Sequence, residues 1–282
     1  MLKLFGSGDI KKAVKNHFDT VGDLSGETVV DLPAGTGVTS QILKDHGAQV
    51  LAFDLFPDFF KVDGLSCSIA DLNNPPLSLD DDSVDRLICQ EGIEHFQDQL
   101  KVLKEFARVL KKDGILYVTT PNISHVRARI SNLLVESELY KRLPANELDD
   151  IWLAQDGKVY FGHIFLLGIQ RLRTLAALSG LELTRVLPVR ISWSSFLMGL
   201  PLYPLLILTS FYAYFNNNRK QKSVSDKVKK KVYWEILKLN IHPTVLFGKN
   251  LFVEFKFVGN EGHYESVSAG FKAPTPVDDI KK

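Results

Sequence analysis

A chain of 282 residues that is 45% apolar and 24% charged has an ordinary globular composition and can bury one large core or two small ones. Its net charge of +1 excludes the strongly basic balance of nucleic-acid binders, so we expect no nucleic-acid partner. The two cysteines, Cys67 and Cys89, exclude a disulfide framework and have no metal-ligand spacing, which favours a reducing cytoplasm.

Predicted strands and helices alternate along much of the chain. The N-terminal MLKLFGSGDIKK has no apolar run of signal-peptide length, which predicts no secretion signal. The predicted strands are Thr28–Leu32, Gln49–Phe53, Ser83–Cys89, Ile115–Thr119 and Leu181–Val186. The predicted helices are residues 8–20, Thr39–Asp45, Gln97–Leu110 (closed by Asp113 and Gly114) and Gly168–Leu178 (stopped by Gly180). This alternation predicts an α/β fold, with a parallel sheet covered by helices on both faces.

The stretch VVDLPAGTGVTS, residues 29–40, predicts a ligand-binding turn after the first strand. Gly35 and Gly37 allow a tight turn and close approach of a ligand. A dinucleotide fingerprint starting at Gly35 would end in glycine, but Ser40 stands there, which disfavours a pyrophosphate. Asp31, at the strand end, would repel phosphate and attract a sulfonium cation. The turn therefore favours S-adenosylmethionine over a dinucleotide.

Further segments follow this turn in the order of one enzyme family. Asp54 ends the second strand, and Asp71 lies in SIADLNNPPL. CQEGIEHF (89–96), YVTTPN (117–122) and LFGKNLFVEFKF (246–257) come next. Together these segments resemble class I S-adenosylmethionine-dependent methyltransferases over about 250 residues. CQEGIEHF is similar to the Glu-x-x-Glu-His signature of members that act on small molecules and lipid precursors.

The resemblance implies a Rossmann-like, seven-stranded, mostly parallel sheet with an antiparallel last strand. It also implies that Asp54 accepts hydrogen bonds from the cofactor's ribose and that Asp71 lies beside its adenine. Pro33 replaces the family's first glycine and cannot adopt a positive φ, which departs from the pattern. The predicted cofactor-binding residues are Asp31, Pro33, Gly35, Gly37, Asp54, Leu55, Ala70, Asp71, Gln90 and Glu91.

Two histidines are the candidate catalytic residues. If the acceptor is a hydroxyl, a general base assists methyl transfer, and His95 and His163 follow predicted strands near the cleft. For His95 the alternative is a cap on the next helix or the orientation of a neighbouring loop, and for His163 a packed position. His125 could bind an anionic substrate beside Arg127 and Arg129, or hydrogen-bond locally.

The same region offers candidate metal ligands. Glu91 and Glu94 are further base candidates and could hold a divalent cation together with His95. Their spacing is loose, and we expect no metal.

Residues 191–240 interrupt the alternation and predict a helical hairpin inserted before the last strand. Residues 191–218 contain no charged side chain, whereas 219–231 are rich in lysine and arginine. If the flanking strands belong to one sheet, a single membrane crossing between them is impossible. We expect residues 191–231 to contact a membrane surface. A buried lid or a dimer interface is the alternative.

The sequence therefore predicts a methyltransferase core over residues 1–190 and 241–258, the insertion 191–240, and a disordered tail over 259–282. The expected reaction is methyl transfer, with O-methylation favoured, to a small or lipid-linked acceptor such as a sugar, glycan precursor or quinone-like ring. The expected location is the cytoplasm, at the inner membrane face. An NAD(P)-dependent oxidoreductase and a non-catalytic membrane-associated module are the alternatives.

Overall fold

The structure is a computed structural model that describes residues 10–73, 76–153, 159–220 and 226–259. Its strands are β1 (Thr28–Asp31), β2 (Gln49–Asp54), β3 (Cys67–Ile69), β4 (Val84–Gln90), β5 (Leu110–Pro121), β6 (Ile151–Leu153), β7 (Val159–Phe161), β8 (Leu181–Val186) and β9 (Asn250–Phe257). Its helices are α1 (Ile10–Val21), α2 (Val38–Asp45), α3 (Gln99–Val109), α4 (Val126–Val135), α5 (Ile169–Ala177), α6 (Trp193–Gly199), α7 (Tyr203–Lys220), α8 (Asp226–Asn240) and α9 (Pro243–Phe247).

Seven strands form one sheet in the order β3-β2-β1-β4-β5-β9-β8. β9 runs antiparallel to both of its neighbours, and the other strand pairs of this sheet are parallel. β6 and β7 form a separate antiparallel hairpin. The predicted fold class is confirmed. The strand order reverses between β1 and β4, which is where an open α/β sheet binds its ligand.

The central strands are buried on both faces. In β4, Leu87 packs into the apolar cluster that contains Phe106 of α3. The neighbouring Ile88 packs into the opposite cluster, which contains Phe18 of α1. Because helices cover both faces, such strands are continuous apolar runs rather than alternating ones, and this is what made them recognisable in the sequence.

The boundary between α3 and β5 differs from the prediction. Asp113 and Gly114 do not close the helix, because β5 already begins at Leu110, where α3 ends. Asp113 has a φ of +67°, and the β4–β5 register shifts between Val84 and Arg86. The turn-forming pair therefore marks an irregularity inside a long strand. Helix α4 and the β6–β7 hairpin were not predicted.

The insertion forms the predicted helical hairpin from α7 and α8. The Tyr203 hydroxyl at the start of α7 donates to the carbonyl of Ile241 just after α8, at 3.1 Å. The rings of Tyr214 and Trp234 lie 5.8 Å apart between the two helices. In α8, Leu237 and Leu239 are buried, whereas α7 has no buried residue. The predicted disordered tail falls outside the described residues after Gly259.

Length and apolar composition limit which of the described helices could cross a membrane. None of them alone is long and apolar enough to cross a membrane. The bent pair Trp193–Gly199 and Tyr203–Lys220, with an angle of 69° between its helices, passes by length and composition only. β8 and β9 are neighbours in one sheet, as the argument against a single crossing requires.

Candidate active site

A cavity of about 560 Å³ lies at the carboxyl ends of β1, β2 and β4. Segments following these strands form its wall, together with β7 and the start of α1. The cavity is not filled by the side chains of the protein. The predicted cofactor-binding residues that line it are Pro33, Gly35, Asp54, Leu55, Ala70, Asp71, Gln90 and Glu91.

The glycines of the first turn serve different purposes. Gly35 has a φ of +52°, and a Cβ atom there would meet nothing within 4 Å, so a ligand has room to approach. Gly37 has a φ of +85°, but a Cβ atom there would lie 2.3 Å from Val62 and 2.8 Å from Phe60. Gly37 is not among the lining residues. Its predicted ligand contact is therefore corrected: the protein's own side chains occupy that space.

Asp54 holds the turn and faces the cavity. Its Oδ2 accepts the Gly35 amide at 2.7 Å, and its Oδ1 accepts the Phe56 amide at 2.8 Å. A carboxylate has about four lone-pair sites, so both oxygens can accept further hydrogen bonds from a ligand. Asp71 lies on the same wall, where its Oδ1 accepts the Asn73 amide at 3.0 Å.

Asp31 does not line the cavity, contrary to its predicted position. Its side chain is fully buried and accepts the Ser40 hydroxyl of α2 at 2.6 Å. Its Oδ1 has no hydrogen-bond partner among the described residues. Burial raises the pKa of Asp31 to about 7. A role toward a bound sulfonium stays a prediction, and it would act through the field of an ionised Asp31 rather than through exposure.

Glu91 is held in an unusual backbone conformation on the cavity wall. Its φ is +48°, in the left-handed region that non-glycine residues rarely occupy. Its Oε1 accepts the Thr119 hydroxyl at 3.1 Å, and its Oε2 accepts the Asn250 side-chain amide at 3.2 Å. Burial raises the pKa of Glu91. These contacts fix one carboxyl in the cavity, beside Gln90, whose Oε1 accepts the Thr39 hydroxyl at 2.7 Å.

His95 lines the cavity with one ring nitrogen fixed. Its Nδ1 lies 2.6 Å from the carbonyl oxygen of Phe161 and 3.2 Å from that of Gly162. Carbonyls only accept, so Nδ1 carries the hydrogen and the neutral ring has its lone pair on Nε2. Burial lowers the pKa of His95, which favours this neutral form. The helix-cap alternative is wrong, because Asp98 caps α3 by accepting the Lys101 amide, whereas the contacts of Nδ1 are those expected if His95 orients a neighbouring loop.

His163 lies behind His95 and is not among the lining residues, contrary to its predicted position facing the cleft. The two rings are 5.7 Å apart, and His163 Nδ1 accepts from Arg142 at 3.1 Å.

Glu94, His95 and His163 each offer a ligand atom, and these atoms lie within 4.8 Å of one another. Burial raises the pKa of Glu94 to about 8. The expected absence of a metal stays a prediction.

His125 lies away from the cavity. It is buried at the N-terminus of α4, where its Nδ1 accepts the Ala128 amide and lies 3.2 Å from the Ser195 hydroxyl. Arg127 donates to Ser194 and lies over the Tyr140 ring. The local hydrogen-bonding alternative is confirmed for His125, whose position joins α4 to α6.

Sequence reasoning missed the aromatic part of the wall. Phe56, Phe96, Tyr160 and Phe161 line the cavity, as does Lys11 of α1. Phe56 and Phe96 follow strand ends that were recognised. Tyr160 and Phe161 stand in the stretch YFGHIF, where the histidine attracted attention rather than the rings beside it.

Comparisons with known proteins agree with this geometry. Residues 30–118 match a family described as a methyltransferase domain. A ubiquinone biosynthesis O-methyltransferase from Xanthomonas oryzae pv. oryzae (strain PXO99A) is 35% identical over 109 residues, which are 36% of this chain and 45% of that protein. A demethylmenaquinone methyltransferase from Clavibacter sepedonicus is 33% identical over 118 residues, 38% of this chain and 47% of that protein. This chain thus spans less than half the length of these relatives.

A solved structure, a SAM-dependent methyltransferase from Archaeoglobus fulgidus, aligns over 87% of this chain and 94% of its own, with 15% identity and a TM-score of 0.49.

The match over residues 30–118 and the seven-stranded sheet with its antiparallel strand agree with the class I, S-adenosylmethionine-dependent methyltransferases that the sequence resembles. The cavity of this chain fits that cofactor. Asp54 retains acceptor capacity at the end of β2, and Gly35 leaves open space beside it. The missing third glycine of the dinucleotide pattern agrees with a ligand that carries no pyrophosphate.

Proposed function

We propose that the protein methylates a hydroxyl group on a small or lipid-linked acceptor with a phenolic, quinone-type ring. His95 carries this proposal. Its Nε2 carries the lone pair in the cavity, while its Nδ1 hydrogen is fixed on the Phe161 carbonyl. This is the arrangement of an oriented general base. When bound, S-adenosylmethionine supplies the electrophilic methyl group.

Different residues of the chain would bind the cofactor and accept the proton. Asp54, with Asp71 and the open backbone at Gly35, would hold the nucleoside part of the cofactor. His95 Nε2 accepts the proton of the acceptor hydroxyl, and the Phe161 carbonyl stabilises the resulting imidazolium through Nδ1. The protein's main contribution is to hold donor and acceptor in contact, since such positioning supplies much of the rate.

Two observations favour a phenolic ring over a sugar. The wall near His95 carries the aromatic side chains of Phe96, Tyr160 and Phe161. The relatives with 33–35% identity have names that refer to ubiquinone and demethylmenaquinone. Aromatic walls favour flat apolar ligands through burial and ring contacts.

An experiment with two acceptor classes tests the proposal. The purified protein is incubated with a methyl-labelled donor and either a catechol-headed prenyl lipid or a sugar nucleotide. We expect label in the catechol product as an ether, and a rate of labelling lower by roughly 10²- to 10⁴-fold after His95→Gln substitution. Label in the sugar nucleotide would contradict a phenolic acceptor. Unchanged methyl transfer by His95→Gln would show that His95 is not the general base.

We also propose that the insertion attaches the protein to the cytoplasmic face of a membrane. On α7 the exposed apolar residues recur at helical spacing, so that they form one stripe, with Leu208 68% and Tyr212 73% exposed. The α7 stripe consists of Leu205, Leu208, Tyr212 and Phe215. Exposed cations follow it at Arg219, Lys220, Lys227 and Lys230. Apolar and basic groups together favour an anionic lipid surface.

The sequence leaves two alternative functions, an oxidoreductase and a non-catalytic module. The match to a methyltransferase family gives no support to an oxidoreductase. The non-catalytic module rested on Pro33, but Pro33 forms part of the wall and leaves the cavity open. Calorimetry with S-adenosylhomocysteine separates the module from the enzyme, since the module would release no heat.

A further inference from the structure

The hydroxyl group of Tyr160 contacts His95, the proposed general base of the candidate site. Its hydroxyl oxygen lies 3.3 Å from His95 Nε2. Because His95 Nδ1 donates to the Phe161 carbonyl, Nε2 is the acceptor in the neutral ring and the Tyr160 hydroxyl donates to it. A phenol of the protein therefore stands where the proposed acceptor phenol would have to bind.

The Tyr160 ring is packed as a phenolic ligand would be. Its centroid lies 5.0 Å from the His95 ring at an angle of 31°, and 5.6 Å from the Trp152 ring. The Phe56 ring lies 6.1 Å away. These separations fall in the range of favourable ring contacts. Together, His95, Trp152 and Phe56 form a slot for one aromatic ring, which we call the phenol slot.

We infer that Tyr160 is an internal occupant of the phenol slot, which the phenolic acceptor replaces during binding. This inference rests on the proposed function and names the property selected: the acceptor must be a phenol. A phenolic acceptor restores both the hydrogen bond to Nε2 and the ring contacts that Tyr160 gives up. An aliphatic alcohol restores only the hydrogen bond, so it competes poorly. Tyr160 thus selects phenols over alcohols and keeps the base paired when no acceptor is bound.

The displacement is small in structural terms. Tyr160 belongs to β7, which in the described part of the chain pairs with β6 through three residues, outside the main sheet. Trp152 of β6 and Val159 are exposed on this hairpin. The backbone that carries Tyr160 is therefore held by fewer strand pairings than the strands of the core, and the contacts that its side chain gives up are those that the acceptor restores.

The substitution Tyr160→Phe tests the inference without turnover. Catechol is titrated calorimetrically into the full chain saturated with S-adenosylhomocysteine, and cyclohexanol serves as the aliphatic probe. Without the competing hydroxyl, catechol affinity should rise roughly 3- to 10-fold, the effect of one net hydrogen bond. Modification of His95 by diethylpyrocarbonate, located by mass spectrometry, should accelerate. Tyr140→Phe, which changes a tyrosine outside the cavity lining, should alter neither quantity.

Kinetics give the second readout. Tyr160→Phe should lower KM for the phenolic acceptor while kcat stays within about twofold. A loss of kcat above tenfold with KM unchanged would make Tyr160 a proton relay and overturn the inference. Unchanged catechol affinity would overturn it as well, even if methyl transfer to phenols is observed. If no phenol is methylated but catechol still binds more tightly to Tyr160→Phe, the proposed function fails and the occupied slot stands.

Discussion

Pro33 packs against the backbone of Gly92 so closely that a Cβ atom at position 92 would lie 2.3 Å from the Pro33 Cδ. Pro33 stands where the family pattern has its first glycine, and Gly92 belongs to the loop after β4. Both residues line the cavity. The space that a glycine at position 33 would have left open is thus taken by the ring, and Gly92 accommodates it by having no side chain.

Gly92→Ala should therefore damage the cofactor wall. The added methyl group must push Pro33 or the β4 loop, and overpacking of this kind costs roughly 1 to 3 kcal/mol. We expect a lower melting temperature and weaker binding of S-adenosylhomocysteine in calorimetry. Gly26→Ala is the control, because Gly26 has positive φ but nothing within 4 Å of its Cβ position. It should lower stability through backbone strain alone, and equal loss of affinity in both variants would contradict the contact argument.

Asp54→Ala should weaken cofactor binding by about 1.5 to 3 kcal/mol, the range for hydrogen bonds to a charged group. Its carboxylate also accepts the amides of Gly35 and Phe56, so part of the loss would come from a looser turn. Isothermal calorimetry measures the affinity, and thermal melting measures the turn. Asp58→Ala, at an exposed position nearby, is the control. Unchanged affinity in Asp54→Ala would remove Asp54 from the cofactor site.

Strand ends were predictable from the sequence, and contacts across the cavity were not. Asp54 ends the apolar strand β2, so the sheet rule was enough to place it at this edge, whereas Asp71, two residues after the short and largely exposed β3, was placed by the family resemblance. Asp31 also ends a strand, but its carboxylate accepts a hydrogen bond from the hydroxyl of Ser40 in α2, nine positions later, and does not line the cavity. No local pattern distinguishes these outcomes. Tyr160 reaches His95 across 65 positions on a three-residue strand, which is too short for a period to be read.

His95 and His163 were both predicted as catalytic residues. The kcat values of their glutamine variants should show which of them acts as the base. His95→Gln should reduce kcat by roughly 10²- to 10⁴-fold, the usual contribution of a general base. His163→Gln should have a much smaller effect, since His163 lies outside the cavity lining. Burial lowers the pKa of His95 below its ordinary 6.5, so the neutral base prevails above that pH. The rate should therefore be level at neutral pH and fall on the acid side with a midpoint below 6.5. A larger loss in His163→Gln would reverse the assignment.

Asp31 should make stability depend on pH in the direction opposite to most acids. Burial raises its pKa from 3.8 in the unfolded chain to about 7 in the fold. Between these values only the folded protein keeps the proton, so stability falls as pH rises and the loss is complete above about 7. The loss is at most about 4 kcal/mol. Urea unfolding of wild type and Asp31→Asn at pH 5 and 8 measures it, and Asp31→Asn should show the smaller difference. An equal difference in both proteins would contradict the buried charge.

Removal of residues 193–231 would be a poor test of membrane attachment, because Gly199 packs on Phe247 and Ser195 is fully buried. Point substitutions avoid this damage. The α7 stripe has no buried side chain, so replacing it with glutamine should leave the melting temperature and cofactor affinity unchanged. The same variant should lose binding to vesicles of phosphatidylglycerol and phosphatidylcholine in sedimentation, because it removes the apolar contact.

The charged part of the attachment should be separable from the stripe. Glutamine at Lys220, Lys227 and Lys230 should weaken binding to anionic vesicles by roughly 3 kcal/mol at low salt, at about 1 kcal/mol per basic residue. Binding to uncharged vesicles should not change, since headgroup attraction is the quantity removed. The matched control replaces three exposed lysines outside the insertion, Lys101, Lys104 and Lys112, with glutamine. If both triple variants weaken binding equally, net charge rather than this surface attracts the lipid, and the attachment site would have to be sought elsewhere.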